Sequence, residues 1–130
     1  MWRRQKLAGS SLIFFMKKIF LIHFNEAESK EKIAPLKKAG YEVAFHFSTE
    51  KVADFKNNLP EVLVVSLDRL PSHGMAYAEW MWEAKKRQHI PIVFCGGKPD
   101  KVEAMKLNFP KAIFCRNENL VHALNKLKTI

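Results

Sequence analysis

The stretch PEVLVVSLDRLPSHG, residues 60–74, decides the fold. Its centre, Val62 to Leu67, is a short, almost continuous apolar run bounded by Pro60 on one side and Pro71 and Gly74 on the other. Such a run suits a strand covered on both faces, at the middle of a parallel sheet. Working outward, IFLIHF (19–24), YEVAFHF (41–47), PIVFCG (91–96) and KAIFC (111–115) read as further strands.

Helix signals stand between them. Asn25 offers an N-cap with Glu28 as its capping-box partner, and the helix should run to Ala39 and stop at Gly40. Pro35 inside it removes one helical hydrogen bond and predicts a kink or a late start. Ser48 and Thr49 are expected to open a second helix through about Asn58, and a third is expected from Met75 to Gln88. Pro99 and Asp100 open a fourth, to about Asn108. Asn117 caps the last, whose Leu120, Leu124 and Leu127 form one apolar stripe.

Strands alternating with helices of this length imply a parallel sheet with helices on both faces. Right-handed crossovers then leave a single-domain, flavodoxin-like α/β fold, a three-layer sandwich with a five-stranded parallel sheet in the order 2-1-3-4-5. A chain of 130 residues, 48% hydrophobic and 27% charged, is of one-domain size and globular composition. We place the domain at residues 17–130 and read 1–16 as a poorly specified N-terminal extension. Its start, MWRRQKLAGSSLIFF, imitates a signal peptide, but Gly9, Ser10 and Ser11 break the apolar patch and no small-residue cleavage site follows. No apolar run approaches the roughly 18 residues of a membrane span. Cys95 and Cys115, the only cysteines, exclude a disulfide framework and a Cys-rich zinc module, and suggest a reducing, cytoplasmic setting. The formal charge of +9 raises the case for nucleic acid or an acidic partner. The lysines are spread over several segments, however, as solvated helix faces require, and nucleic-acid binding is not expected.

In sheets of this kind, sites form beyond the carboxyl ends of the strands. The residues to interrogate are therefore His23–Glu26, Ser66–Gly74, Cys95–Lys98 and Cys115–Asn117. From residue 17 to about 128 the chain resembles the receiver domain of bacterial response regulators. The resemblance rests on the five β-α units, the spacing of PEVLVVSLDRLPSHG, the PIVFCGG strand end and the AIFCRNENL close. It implies a two-component signalling role and five polar positions: two acids after the first strand, an aspartate after the third, a hydroxyl after the fourth and a lysine after the fifth. Magnesium needs hard oxygen ligands, and phosphoryl transfer is mostly positioning and charge neutralisation. Here His23 and Phe24 stand where the acid pair should be, with Asn25 and Glu26 assigned to the helix cap. Counting from Pro60 puts Ser66 at the acceptor position, whereas counting back from Pro71 puts Leu67 there. Asp68, the one nearby carboxylate, is displaced past the strand end and is expected to cap the loop or pair with Arg69. Gly96 takes the hydroxyl position and Arg116 replaces the lysine. With no position strictly kept, the resemblance implies a degenerate pseudo-receiver of the two-component phosphorelay systems, itself without aspartyl phosphorylation.

His23, Cys95 and Cys115 carry metal-ligand and nucleophile-base atoms near one sheet edge. No close pair such as CxxC exists and no third orienting group is visible, so neither a metal site nor a catalytic site is expected. His73 reads as a loop residue. The segment MAYAEWMWEAKK (75–86) carries more apolar surface than one buried face needs, so Tyr77, Trp80 and Trp82 are candidate contacts for a partner, with at least one tryptophan exposed. The expectation is a stand-alone receiver-like regulatory domain that acts by protein–protein interaction, with a protein partner or a second copy, no cofactor, no catalysis and no membrane. The alternative is a flavodoxin-like small-molecule or nucleotide binder using the Gly96-Gly97 turn, and a nucleic-acid binder comes third.

Overall fold

The computed structural model describes residues 17–55 and 57–128. The strands are β1 (Lys18–Ile22), β2 (Glu42–His46), β3 (Val62–Ser66), β4 (Ile92–Cys95) and β5 (Ile113–Cys115), and the helices are α1 (Glu26–Lys38), α2 (Pro71–Glu83), α3 (Pro99–Asn108) and α4 (Leu120–Lys128). All pairings are parallel, and the order is β2-β1-β3-β4-β5, as the sequence implies. The expected extension, residues 1–16, lies outside the described residues.

The alternation of side chains along the strands divides the core in two. Phe20, Ile22, Leu63, Val65, Ile92 and Phe94 face α2 and α3 with Ala78, Met81, Met105 and Phe109. Ile19, Leu21, Val62, Val64, Val93 and Cys95 face α1 and α4 with Ile33, Leu36, Leu120 and Leu124. Every residue of β3 is buried, which is why its sequence shows no alternation. Each of its valine and leucine side chains contributes about 1.5–3 kcal/mol of transfer free energy. Helix α2 lies so close to β3 that a Cβ at Gly74 would stand 2.5 Å from Val65 Cγ1.

The expected helix over Ser48–Asn58 does not form. Among the described residues of this crossover, Ala53 and Phe55 are the anchors, each 2% exposed and two positions apart, a spacing that fits extended backbone and not one helix face. The Ala53 N–H donates to Tyr77 Oη at 2.9 Å, and Phe55 packs on Phe20 with ring centroids 4.7 Å apart. The third helix also departs from expectation. It starts four residues early, at Pro71, whose missing N–H costs nothing in a first turn. It ends at Glu83, because Ala84 turns extended and a 3₁₀ turn, Lys85–Arg87, follows. The Arg87 guanidinium donates to the Trp80 carbonyl at 2.7 Å and lies 3.8 Å over the Trp80 ring, so a side chain takes up a carbonyl of the last turn. Helix α1 starts on schedule after Asn25 and runs through Pro35 to Lys38, so the predicted late start does not occur.

Candidate functional site

Parallel register lines up the strand ends. Ser66 pairs with Cys95 and Cys95 with Cys115, while Ile22 pairs with Val65, which leaves His23 level with Ser66. His23, Ser66, Cys95 and Cys115 thus make one row at the carboxyl edge of the sheet. One step further, the Leu67 N–H donates to the Cys95 carbonyl at 2.9 Å, which sets Leu67 level with Gly96. The Leu67 side chain is buried in the core against α2 and α3, and the Ser66 hydroxyl accepts the Asp68 N–H at 3.2 Å.

Above this row the loops are joined by Asp68. Its carboxylate accepts the Gly97 N–H at 2.8 Å and the Asn117 Nδ2–H at 2.7 Å. Asn117 Oδ1 in turn accepts from Lys32 Nζ at 2.8 Å. One carboxylate therefore ties together the loops that follow β3, β4 and β5, and through Asn117 it reaches α1. Gly96 and Gly97 adopt left-handed backbone, with φ of 70° and 92°. A Cβ at Gly96 would run into the Asp68 carboxylate and the Asn117 amide, so glycine is required there for space as well as for backbone. Burial alone pushes the Asp68 carboxyl up. The hydrogen bonds from Asn117 and Gly97, with the positive Lys32, outweigh it and hold the group below its ordinary value.

A second cluster adjoins it. Glu28 Oε1 lies 2.7 Å from His23 Nε2, and the Arg69 guanidinium grips both Glu28 oxygens, at 3.1 and 2.5 Å. Those Arg69 hydrogen bonds first, and the one from His23 second, pull the Glu28 carboxyl down to about 2. Burial lowers the His23 pKa, against the Glu28 hydrogen bond that raises it. Neutral His23 facing an ionised carboxylate carries its proton on Nε2. Its Nδ1 is then a bare acceptor, buried and without a hydrogen-bond partner among the described residues.

The sequence-expected residues divide accordingly. His23, Ser66, Asp68 and Gly96 come together at the strand ends. Phe24 turns to the other face, against His73 and His46 at centroid distances of 5.6 and 6.2 Å. Asn25 caps α1, accepting the Glu28 N–H at 3.0 Å. Three assignments are corrected. Arg69 pairs with Glu28 and not with Asp68, because the Asp68 oxygens are taken by Gly97 and Asn117. Glu28 does not close a capping box, since its carboxylate goes to His23 and Arg69 while the Asn25 N–H donates to the His23 carbonyl. Asn117 does not cap the last helix with its side chain, which the Asp68–Lys32 network occupies instead. Arg116, 81% exposed and 3.5 Å from Glu118, stays outside that network. The cation beside it is Lys32 from α1, a residue the sequence reading does not single out.

Two cavities flank the network. One, of about 640 Å³, lies between α3 and the end of β5 and is lined among others by Phe94, Gly96, Phe114, Cys115 and Arg116. A smaller one, of about 370 Å³, is lined by Glu28, Glu31, Lys32, Asp68 and Asn117. Among the described residues no group of His, Cys, Asp and Glu gathers as metal ligands, and no helix is long and apolar enough to cross a membrane. Tyr77, Trp80 and Trp82 are all partly buried and packed on the core, so neither tryptophan of α2 stands fully exposed and neither is fully covered. The Trp82 indole N–H is spent on the Ile90 carbonyl at 2.8 Å.

No protein-family model matches the chain, and no curated protein matches it by sequence. Solved structures do match by fold. The chemotaxis response regulator CheY4 of Vibrio cholerae superposes with a TM-score of 0.69 at 14% identity, over 86% of this chain and 98% of that one. A response regulator receiver protein from Pseudomonas putida gives 0.69 at 15% identity, over 88% and 99%. A structure described as adenylate cyclase from Rhodopirellula baltica gives 0.57 at 15% identity, over 88% and 98%. The strand order, the five parallel strands and these superpositions together give this chain the fold of the response-regulator receiver domains.

Proposed function

We propose that the chain is a receiver-like signalling domain that works by protein contact, with the displaced Asp68 carboxylate occupying the loop donors that an incoming phosphoryl group would need. The Asp68 bridge carries this reading. A phosphoryl group would have to be held by donors at these same loops, and Asp68 already takes the Gly97 N–H and the Asn117 amide. Nor do the residues present fit a magnesium ion, which needs several free oxygen ligands. His23 and Phe24 follow β1, Glu28 is held by His23 and Arg69, and both Asp68 oxygens are engaged. A protein partner, or a second copy of the chain, would then read one fixed surface. We place this activity in the cytoplasm and assign it no catalysis.

The test is treatment with acetyl phosphate and magnesium, read by intact-mass spectrometry and calorimetry. The expected result is an unchanged mass and no heat of magnesium binding. An adduct on Asp68 that disappears in Asp68→Asn overturns the proposal. A second reading, a small-molecule binder, is favoured by the 640 Å³ cavity beside the Gly96-Gly97 turn. Nucleotide-induced NMR shifts confined to Gly96, Gly97 and Phe114 would support that reading over the first.

A further inference from the structure

The register places two thiols side by side. Cys95 and Cys115 are direct partners on the adjacent parallel strands β4 and β5. Both face the α1 and α4 side of the sheet, where they pack in one cluster. Neighbouring strands run about 4.8 Å apart, inside the roughly 4.4–6.8 Å Cα separation that a disulfide spans. Cys95 is fully buried, whereas Cys115, on the edge strand of the sheet, is partly exposed. The two residues are therefore unequal: one is partly open to solvent, and the other is covered.

We infer that Cys115 and Cys95 form a peroxide-responsive pair that closes to a reversible disulfide across the β4 and β5 ends. The Cys115 thiolate attacks one oxygen of a hydroperoxide. An S–O bond forms, the O–O bond breaks, and the departing oxygen takes a proton and leaves as water or an alcohol. Cys95 sulfur then attacks the sulfenic sulfur. The S–S bond forms, the S–O bond breaks, and the thiol proton leaves with that oxygen as a second molecule, water. Two thiols are oxidised by two electrons and the peroxide is reduced by two. Burial raises both thiols, Cys95 to about 12, so Cys95 suits the resolving step and not the first attack. The positive Lys32 offsets only part of that rise. Proximity speeds the second step, which is intramolecular, while the low thiolate fraction makes the first step slow at neutral pH and faster in alkali. The link would fix the loops that carry Gly97 and Asn117, the two donors to Asp68. It does not depend on the signalling reading.

The experiment treats the full chain with hydrogen peroxide at neutral and at alkaline pH and maps its peptides without reduction. Expected is an intramolecular Cys95–Cys115 link, a mass lower by one hydrogen per thiol, faster closure at alkaline pH and reversal by dithiothreitol. In Cys95→Ala the sulfenic acid on Cys115 should persist and be trapped by dimedone. Overoxidation of wild-type Cys115 with Cys95 left as a free thiol overturns the inference, and so does a link that forms only between molecules.

Discussion

Removing the Asp68 carboxylate is the sharpest perturbation of the site. Asp68→Ala deletes two charge-assisted hydrogen bonds, one from Gly97 and one from Asn117. Bonds to a charged group contribute about 1.5–3 kcal/mol when well buried. Asp68 is exposed, so solvent screening reduces each to about 0.5–1 kcal/mol. The expected loss is about 1–2 kcal/mol, visible in urea unfolding as a midpoint lower by roughly 1 M at a typical slope. Asn117→Ala should cost about half as much, and the double variant should fall short of the sum by about 0.5–1 kcal/mol, the coupling between the two side chains. The pH dependence has a definite sign. The folded Asp68 carboxyl lies below its ordinary value of 3.8, so its contribution is complete above that pH and is lost as pH falls through the lower folded value. The gap between wild type and Asp68→Ala should therefore close on acidification below about 3.8. A variant within about 0.3 kcal/mol of wild type, or strict additivity with Asn117→Ala, would refute the bridge.

Three further outcomes follow from the packing. Gly74→Ala forces a methyl against Val65 and should destabilise by about 1–2 kcal/mol after the helix-propensity gain, with most of the loss suppressed in a Val65→Ala background, as denaturant titration would show. His23, held below its ordinary value of 6.5 by burial, should titrate below that value by NMR; since protonation favours the unfolded chain, stability should be full above about 6.5 and decline as pH falls from there through the lower folded value. Phe55→Ala should cost about 3 kcal/mol in urea unfolding and, alone among these changes, should expose the 48–59 crossover to protease before the rest of the domain opens.

The sheet was legible in the sequence because burial on both faces writes itself as apolar runs, and the positions of Val62–Ser66 and Ile92–Cys95 needed little else. The crossover after β2 was not legible. Ser48 and Thr49 resemble a helix start, and nothing local reveals that Ala53 and Phe55 are held by Tyr77 and Phe20. The site was half legible for a related reason. His23, Ser66, Asp68 and Gly96 follow from where the strands end. Lys32 and Asn117 are 85 positions apart and meet only through the fold. The available signal was their chemistry: an amide just past the fifth strand, and a lysine one turn beyond Glu28 on α1. Local rules assigned Glu28 and Asn117 to helix caps, and long-range partners of opposite charge or better geometry took them instead.

The crossover between β2 and β3 has a mechanical consequence. A helix there would unzip at the cost of many contacts at once, whereas a strap held mainly by the Phe55 ring, Ala53 and its hydrogen bond to Tyr77 detaches as a small unit of its own. Release of Phe55 would uncover Phe20, Tyr77 and Trp80, the rings it rests on or meets edge-on. An incoming ligand that offered a ring of its own could trade places with Phe55 while β1 and β3 kept their ladder. This face of the domain would then open by substitution of one side chain for another and not by unfolding.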